Sequence, residues 1–110
     1  MDKKILPSQA KSSKEEAVPS PCELSKTFKI DNELGLHARA AAQFVKIASR
    51  YRSEIKVQKD SREVNGKSIM GILTLAAAKG SKIRITTIGE DSSKAMDELG
   101  ALIDNKFGEK

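Results

Sequence analysis

The hydrophobic pattern of the chain predicts an α+β fold: an open-faced sandwich in which three helices cover one face of a four-stranded antiparallel sheet. Segments with strand periodicity alternate with segments of helical periodicity in the order β-α-β-β-α-β-α. The links between them are short and rich in turn residues, which favours antiparallel neighbours. With 110 residues, 38% of them hydrophobic, the chain has the size and composition of one globular domain with one core.

The first strand and the first helix are predicted by local spacing. Apolar residues recur at every second position over residues 27–30, and residues 32–35 interrupt that pattern. A helix is predicted over residues 38–51, because its apolar residues share one stripe. They are Ala41, Phe44, Val45, Ala48 and Tyr51.

A hairpin follows. Residues 54–58 alternate as a half-buried strand, residues 59–61 form a turn, and residues 62–64 return as the hairpin partner. The pair Asn65-Gly66 ends this second strand.

The last three elements are a short helix, a strand and a longer helix. Ser68 is a good N-cap for an apolar helix that extends to about Ala77, and Gly80 marks the stop behind it. A fourth strand is predicted over residues 82–88. The final helix presents a buried stripe that consists of Met96, Leu99, Leu102, Ile103 and Phe107.

Residues 1–25 are predicted to form a flexible N-terminal extension, and residues 26–110 the folded domain. The extension is rich in Lys, Ser, Glu and Pro and has no regular apolar period. Its charges balance, so the net charge of +5 belongs to the folded part. Cys22 is the only cysteine, and no signal sequence or apolar run of about 18 residues is present. We therefore expect a cytoplasmic protein that does not insert into a membrane.

His37, the only histidine, lies between a loop and the start of the first helix. Free N–H groups and the helix dipole make such a position suitable for a phosphate group. A neutral imidazole is nucleophilic near pH 7, and Arg39 can donate to phosphate oxygens. The residues alone leave open that His37 only caps the helix. A metal site is poorly supported because there is no second histidine, and no nucleophile-elbow motif supports a catalytic triad.

Two segments carry a family resemblance: Gly35-Leu36-His37-Ala38-Arg39 and Asn65-Gly66-Lys67-Ser68-Ile69-Met70-Gly71. Together they resemble the two signature segments of the HPr phosphocarrier family, over about residues 26–107. The resemblance implies a phosphotransferase-system carrier that is a substrate of enzymes rather than an enzyme. In this family, enzyme I transfers a phosphoryl group from phosphoenolpyruvate to Nδ1 of the histidine, and enzyme IIA proteins then remove it. His37 matches that histidine, and Arg39 matches the family's arginine.

The resemblance also implies a regulatory site and a partner surface. Ser68 matches the serine that an HPr kinase/phosphorylase modifies in some bacteria, although an N-cap role alone would also explain it. Ile69, Met70 and Lys67 match positions near which the family contacts its partners, and core packing is the alternative for the apolar ones. We expect a monomer without cofactors or nucleic acid.

The sequence departs from the family at two places and leaves two other functions open. Ala40 replaces the proline that usually follows the arginine, and family members generally lack the N-terminal extension. One alternative is a regulatory HPr-like module that acts through Ser68 while His37 is not used in transfer. The other is an RNA-binding α+β domain, which the basic charge favours and the shortage of aromatic residues on the strands disfavours.

Overall fold

Four strands form one antiparallel sheet with the helices on one face, which confirms the predicted fold class. The computed structural model describes residues 22–109. Its strands are β1 (Glu23–Lys29), β2 (Glu54–Lys59), β3 (Arg62–Asn65) and β4 (Lys82–Ile88). Its helices are α1 (Ala38–Ala48), α2 (Ile69–Thr74) and α3 (Ser92–Asp104), followed by a 3₁₀ turn (Lys106–Gly108).

The strand order is β1-β4-β2-β3, so β4 is one of the two inner strands and pairs with both β1 and β2. Its buried residues Ile83, Ile85 and Thr87 alternate with more exposed ones, so its apolar side faces the helices. Helix α1 contributes Phe44 and several alanines to the core, and α3, which packs on β1 and β4, contributes Leu99 and its neighbours. One hydrophobic core therefore lies between the sheet and the helices.

Strand β1 begins earlier than the sequence pattern indicated. The predicted start was residue 27, but residues 23–25 already pair with β4 and so belong to the sheet rather than to the N-terminal extension. Only Leu24 and Phe28 of this edge strand pack against the core. The three residues between them are polar, so the sequence shows no apolar alternation before residue 27. The predicted flexibility of residues 1–21 lies outside the described residues.

All three helices end earlier than predicted. Helix α1 stops at Ala48 instead of Tyr51, because the N–H groups of Arg50 and Tyr51 bond three residues back, in tighter turns. Helix α2 stops at Thr74 instead of Ala77, since Ala76 adopts a left-handed backbone with φ 49° that cannot continue a right-handed helix. Helix α3 stops at Asp104, yet Phe107 in the following turn is still buried. The apolar stripe therefore continues beyond the helix that it predicted. None of the helices within residues 22–109 is both long and apolar enough to span a membrane.

Candidate functional site

His37 is the N-cap residue of α1. Its backbone is extended, with φ −79° and ψ 178°, and its carbonyl accepts the Ala41 N–H at 2.9 Å. The ring Nδ1 accepts the Arg39 backbone N–H at 3.3 Å, and 27% of the side chain is exposed. The imidazole thus lies at the positive end of the helix dipole, within reach of solvent. The predicted location of His37 at the start of the helix is therefore correct.

The loop before His37 is held by the loop that follows α2. Leu36 N–H donates to the Ala77 carbonyl at 2.8 Å, and Gly80 N–H donates to the Ile30 carbonyl at 2.7 Å. Gly35 has φ +66°, and a Cβ at this position would lie 2.4 Å from the Ala77 oxygen. Only glycine allows this close approach, so the motif glycine fixes the backbone that presents His37.

A second residue contacts the ring from the far end of the chain. Oε2 of Glu109 lies 2.9 Å from His37 Nε2, and the Asn32 amide nitrogen donates to the same Oε2 at 2.8 Å. The hydrogen bond with His37, followed by that from Asn32, lowers the pKa of the Glu109 carboxyl. Neither Asn32 nor Glu109 was expected from the sequence, because no motif connects residues that lie 72 or more positions apart.

An open cavity of about 440 Å³ lies beside the imidazole. Arg39 and Glu109 line it, together with the exposed side chain of Leu34. The Arg39 side chain is exposed and makes no ion pair with any other residue in the range 22–109. His37 and Arg39 are thus brought to one cavity, where the guanidinium can reach an anion on the ring.

Ala40, where the family resemblance predicts a proline, does not displace the helix start. It is fully buried in the first turn of α1, and the helix begins at Ala38 as expected. Unlike proline, alanine retains its backbone N–H, so the first turn has one more donor at the end that faces the cavity.

Ser68 is the N-cap residue of α2, where its Oγ accepts the Gly71 N–H at 3.0 Å. Helices α1 and α2 pack together, but within residues 22–109 no hydrogen bond or shared cavity connects Ser68 to His37. The structure therefore separates the two expected phosphorylation positions into two helix starts.

The expected partner-binding residues have different environments. Met70 is 71% exposed and Ile69 is 40% exposed, so both present apolar surface. Lys67 is half-buried, and its ammonium group donates to the Tyr51 carbonyl at 2.7 Å just beyond α1. This bond gives Lys67 a structural role, and its contact with a partner stays a prediction.

Comparison with known proteins identifies the family. The family described as "PTS HPr component phosphorylation site" matches residues 24–105. The phosphocarrier protein HPr of Neisseria meningitidis is 50% identical over 86 residues, which are 78% of this chain and 97% of that protein. HPr of Cupriavidus necator is 46% identical with the same coverage.

Solved structures of HPr proteins also resemble this chain. The crystal structure of HPr-C-His from Thermoanaerobacter tengcongensis is similar with a TM-score of 0.77 and 45% identity, over 79% of this chain and 98% of that one. HPr from Bacillus anthracis gives a TM-score of 0.71 and 43% identity, over 74% and 96%. A sheet of the same architecture thus accompanies the sequence match, and the chain belongs to the HPr family of phosphocarrier proteins.

Proposed function

We propose that this protein carries a phosphoryl group on Nδ1 of His37, accepting it from enzyme I and passing it to enzyme IIA proteins in the cytoplasm. The observation that supports this most directly is the position of Nδ1 beside the Arg39 N–H in the first turn of α1. A phosphoryl group on Nδ1 would meet the free amides and the positive end of the helix dipole.

The transfer step follows from this geometry. The Nδ1 lone pair attacks phosphorus, the P–N bond forms, and the bond from phosphorus to the donor atom breaks with its electron pair staying on the donor. Nδ1 then no longer accepts the Arg39 N–H, which becomes available to a phosphoryl oxygen. The Arg39 guanidinium supplies permanent positive charge at the open side of the cavity.

Exposed apolar side chains and a positive net charge fit docking to acidic, partly apolar partners. Leu34, Ile69 and Met70 are the exposed large apolar residues of the described chain, and the protein has a net charge of +5. Such a surface favours fast association that weakens as salt is added. A monomer is enough for this role, since donor and acceptor would bind in turn.

The test is incubation with enzyme I and phosphoenolpyruvate, followed by intact-mass measurement. We expect wild type to gain one acid-labile phosphoryl group and His37→Ala to gain none while keeping its fold. Absence of any gain with an enzyme I that phosphorylates a known HPr would contradict the proposal.

Phosphorylation of Ser68 is a second candidate function, as a regulatory step. The exposed Ile69 and Met70 follow Ser68 directly, so a phosphate there would add about −1.5 to −2 charges beside these two apolar side chains and oppose an acidic partner. With an HPr kinase/phosphorylase and ATP, we expect an acid-stable phosphate in the His37→Ala variant and none in Ser68→Ala. A phosphate that persists in Ser68→Ala would assign it to another residue.

A further inference from the structure

We propose that Glu109 and Asn32 are positioning residues for His37: the Glu109 carboxylate holds Nε2–H and thereby leaves Nδ1 as the ring nitrogen that accepts the phosphoryl group. This inference deepens the carrier function proposed above and rests on it. It assigns a role to two residues that lie outside both signature segments.

The two hydrogen bonds of the imidazole specify the same tautomer. A neutral imidazole has one N–H and one nitrogen with a free lone pair. An ionised carboxylate only accepts, so at 2.9 Å from Glu109 Oε2 the Nε2 atom must donate. On the other side, Nδ1 accepts the Arg39 N–H and therefore carries the lone pair. Both contacts leave the nucleophilic lone pair on the nitrogen that faces the helix amides.

Asn32 holds the carboxylate in place. Its side chain is buried, and the amide nitrogen donates to the Gly35 carbonyl and to Glu109 Oε2, each at 2.8 Å. Exchanging the amide oxygen and nitrogen would turn both bonds into oxygen–oxygen contacts, so the orientation is defined. The Asn32 Oδ1 is buried and has no hydrogen-bond partner among the described residues. The two bonds that Nδ2 donates connect the Glu109 carboxylate to the loop that precedes His37.

The 3₁₀ turn that follows α3 places Glu109 beside the His37 imidazole. Lys106, Phe107 and Gly108 have φ values of 55°, 56° and 78°, an unusual run of left-handed residues. The buried Phe107 ring anchors this turn in the core, and Glu109 follows beside His37. Strained backbone of this kind concentrates at functional sites, where the surrounding structure maintains it.

The hydrogen bond between Glu109 and His37 can form in both the unphosphorylated and the phosphorylated protein. When phosphorus bonds to Nδ1, Nε2 keeps its hydrogen and can still donate to Glu109, so the ring keeps one orientation during acceptance and donation. Without the carboxylate, the ring can rotate and exchange tautomers. Misplacement of a reacting group by about 1 Å can cost roughly 100-fold in rate, so we expect Glu109→Ala to slow transfer from enzyme I by roughly 10-fold to 100-fold.

Two readouts on the full-length protein test this. The first is the second-order rate of phosphorylation by enzyme I, and the second is the ¹⁵N NMR spectrum of the unphosphorylated imidazole. We expect wild type to show the Nε2–H tautomer and Glu109→Ala a mixture with a slower rate. Glu109→Gln, whose amide oxygen can still accept from Nε2, should recover most of both. Glu63→Ala, which removes an exposed carboxylate on β3, is the matched control for lost charge and should behave as wild type.

The role of Asn32 is tested by a double-mutant cycle. If Asn32 acts through Glu109, the double variant Asn32→Ala/Glu109→Ala transfers no more slowly than Glu109→Ala alone. A wild-type rate and an unchanged tautomer signal in Glu109→Ala would overturn the proposal. Because the NMR signal needs no phosphoryl transfer, it tests the positioning role even if His37 proves not to be the acceptor.

Discussion

Met70 and Ile72 lie two residues apart on α2, yet Met70 is 71% exposed and Ile72 only 1%. We therefore expect Met70→Ala to change the free energy of unfolding by less than about 0.5 kcal/mol, as is usual at exposed positions. The affinity of the Met70→Ala variant for enzyme I should fall, because Met70 and the neighbouring Ile69 present exposed apolar surface to a partner. Urea unfolding and a titration with enzyme I measure the two quantities.

Ile72→Ala is the matched control for this prediction. It removes a core side chain, so we expect it to lose about 2–5 kcal/mol of stability. If Met70→Ala were as destabilising as Ile72→Ala, or bound enzyme I as tightly as wild type, the assignment of Met70 to the partner surface would be wrong.

The Ser68 hydroxyl has a measurable structural role besides any modification. Its Oγ accepts the Gly71 N–H, so Ser68→Ala should lose about 1 kcal/mol of unfolding free energy. Ser68→Asp keeps an acceptor at the N-cap and should stay close to wild type. Ser93→Ala, an exposed serine within α3, serves as the control and should lose nothing. A Ser68→Ala protein as stable as wild type in urea would show that the cap contributes little.

Alanine substitutions at Gly35 and Gly80 distinguish the effect of backbone strain from that of steric overlap. Both have positive φ, but a Cβ on Gly35 would overlap the Ala77 carbonyl, whereas a Cβ on Gly80 would meet nothing within 4 Å. Overpacking typically costs about 1–3 kcal/mol, so Gly35→Ala should lose that much more stability than Gly80→Ala. Thermal and urea unfolding of the two variants give the comparison, and equal losses would mean that the loop relaxes around Gly35.

Asp91 should make the stability pH-dependent. Its carboxylate accepts the Arg52 N–H at 2.9 Å, the Ser53 N–H at 3.0 Å and the Ser53 hydroxyl. These bonds, the one from the Ser53 hydroxyl above all, lower its pKa in the folded state. The stabilisation is therefore complete above the unfolded pKa of about 3.9 and is lost as the pH falls through the lower folded value.

The measurement is urea unfolding of wild type and Asp91→Asn across the acidic range. We expect the stability of wild type to fall more steeply on acidification than that of Asp91→Asn, which has no carboxyl to titrate at this position. Asp97→Asn, an exposed position on the same helix, should follow wild type. Parallel curves for wild type and Asp91→Asn would show that these bonds do not depend on ionisation.

The predictable parts of this protein are those that depend on neighbours in sequence. Residues 82–88 alternate clearly because β4 is central and one side of it is buried, and the helix start at His37 follows from local spacing. The start of strand β1 could not be predicted from its apolar pattern. Its first residues belong to the sheet because their backbone pairs with β4, and most side chains of this edge strand are exposed. Glu109 could not be predicted at all, because its contact with His37 depends on the unusual backbone of the last turn.

The pairing of β1 with β4 also sets when this site can form. Glu23 lies opposite Ile88, 65 residues later, whereas the β2–β3 hairpin joins residues only a few positions apart. Closing a long loop lowers the chain entropy before any stabilising contact has formed. Pairings between residues that are distant in sequence therefore form slowly. We expect the hairpin to form early in folding and β1 to dock late. The loop that carries His37 extends directly from β1, so competence to accept a phosphoryl group should be among the last properties that a refolding chain acquires.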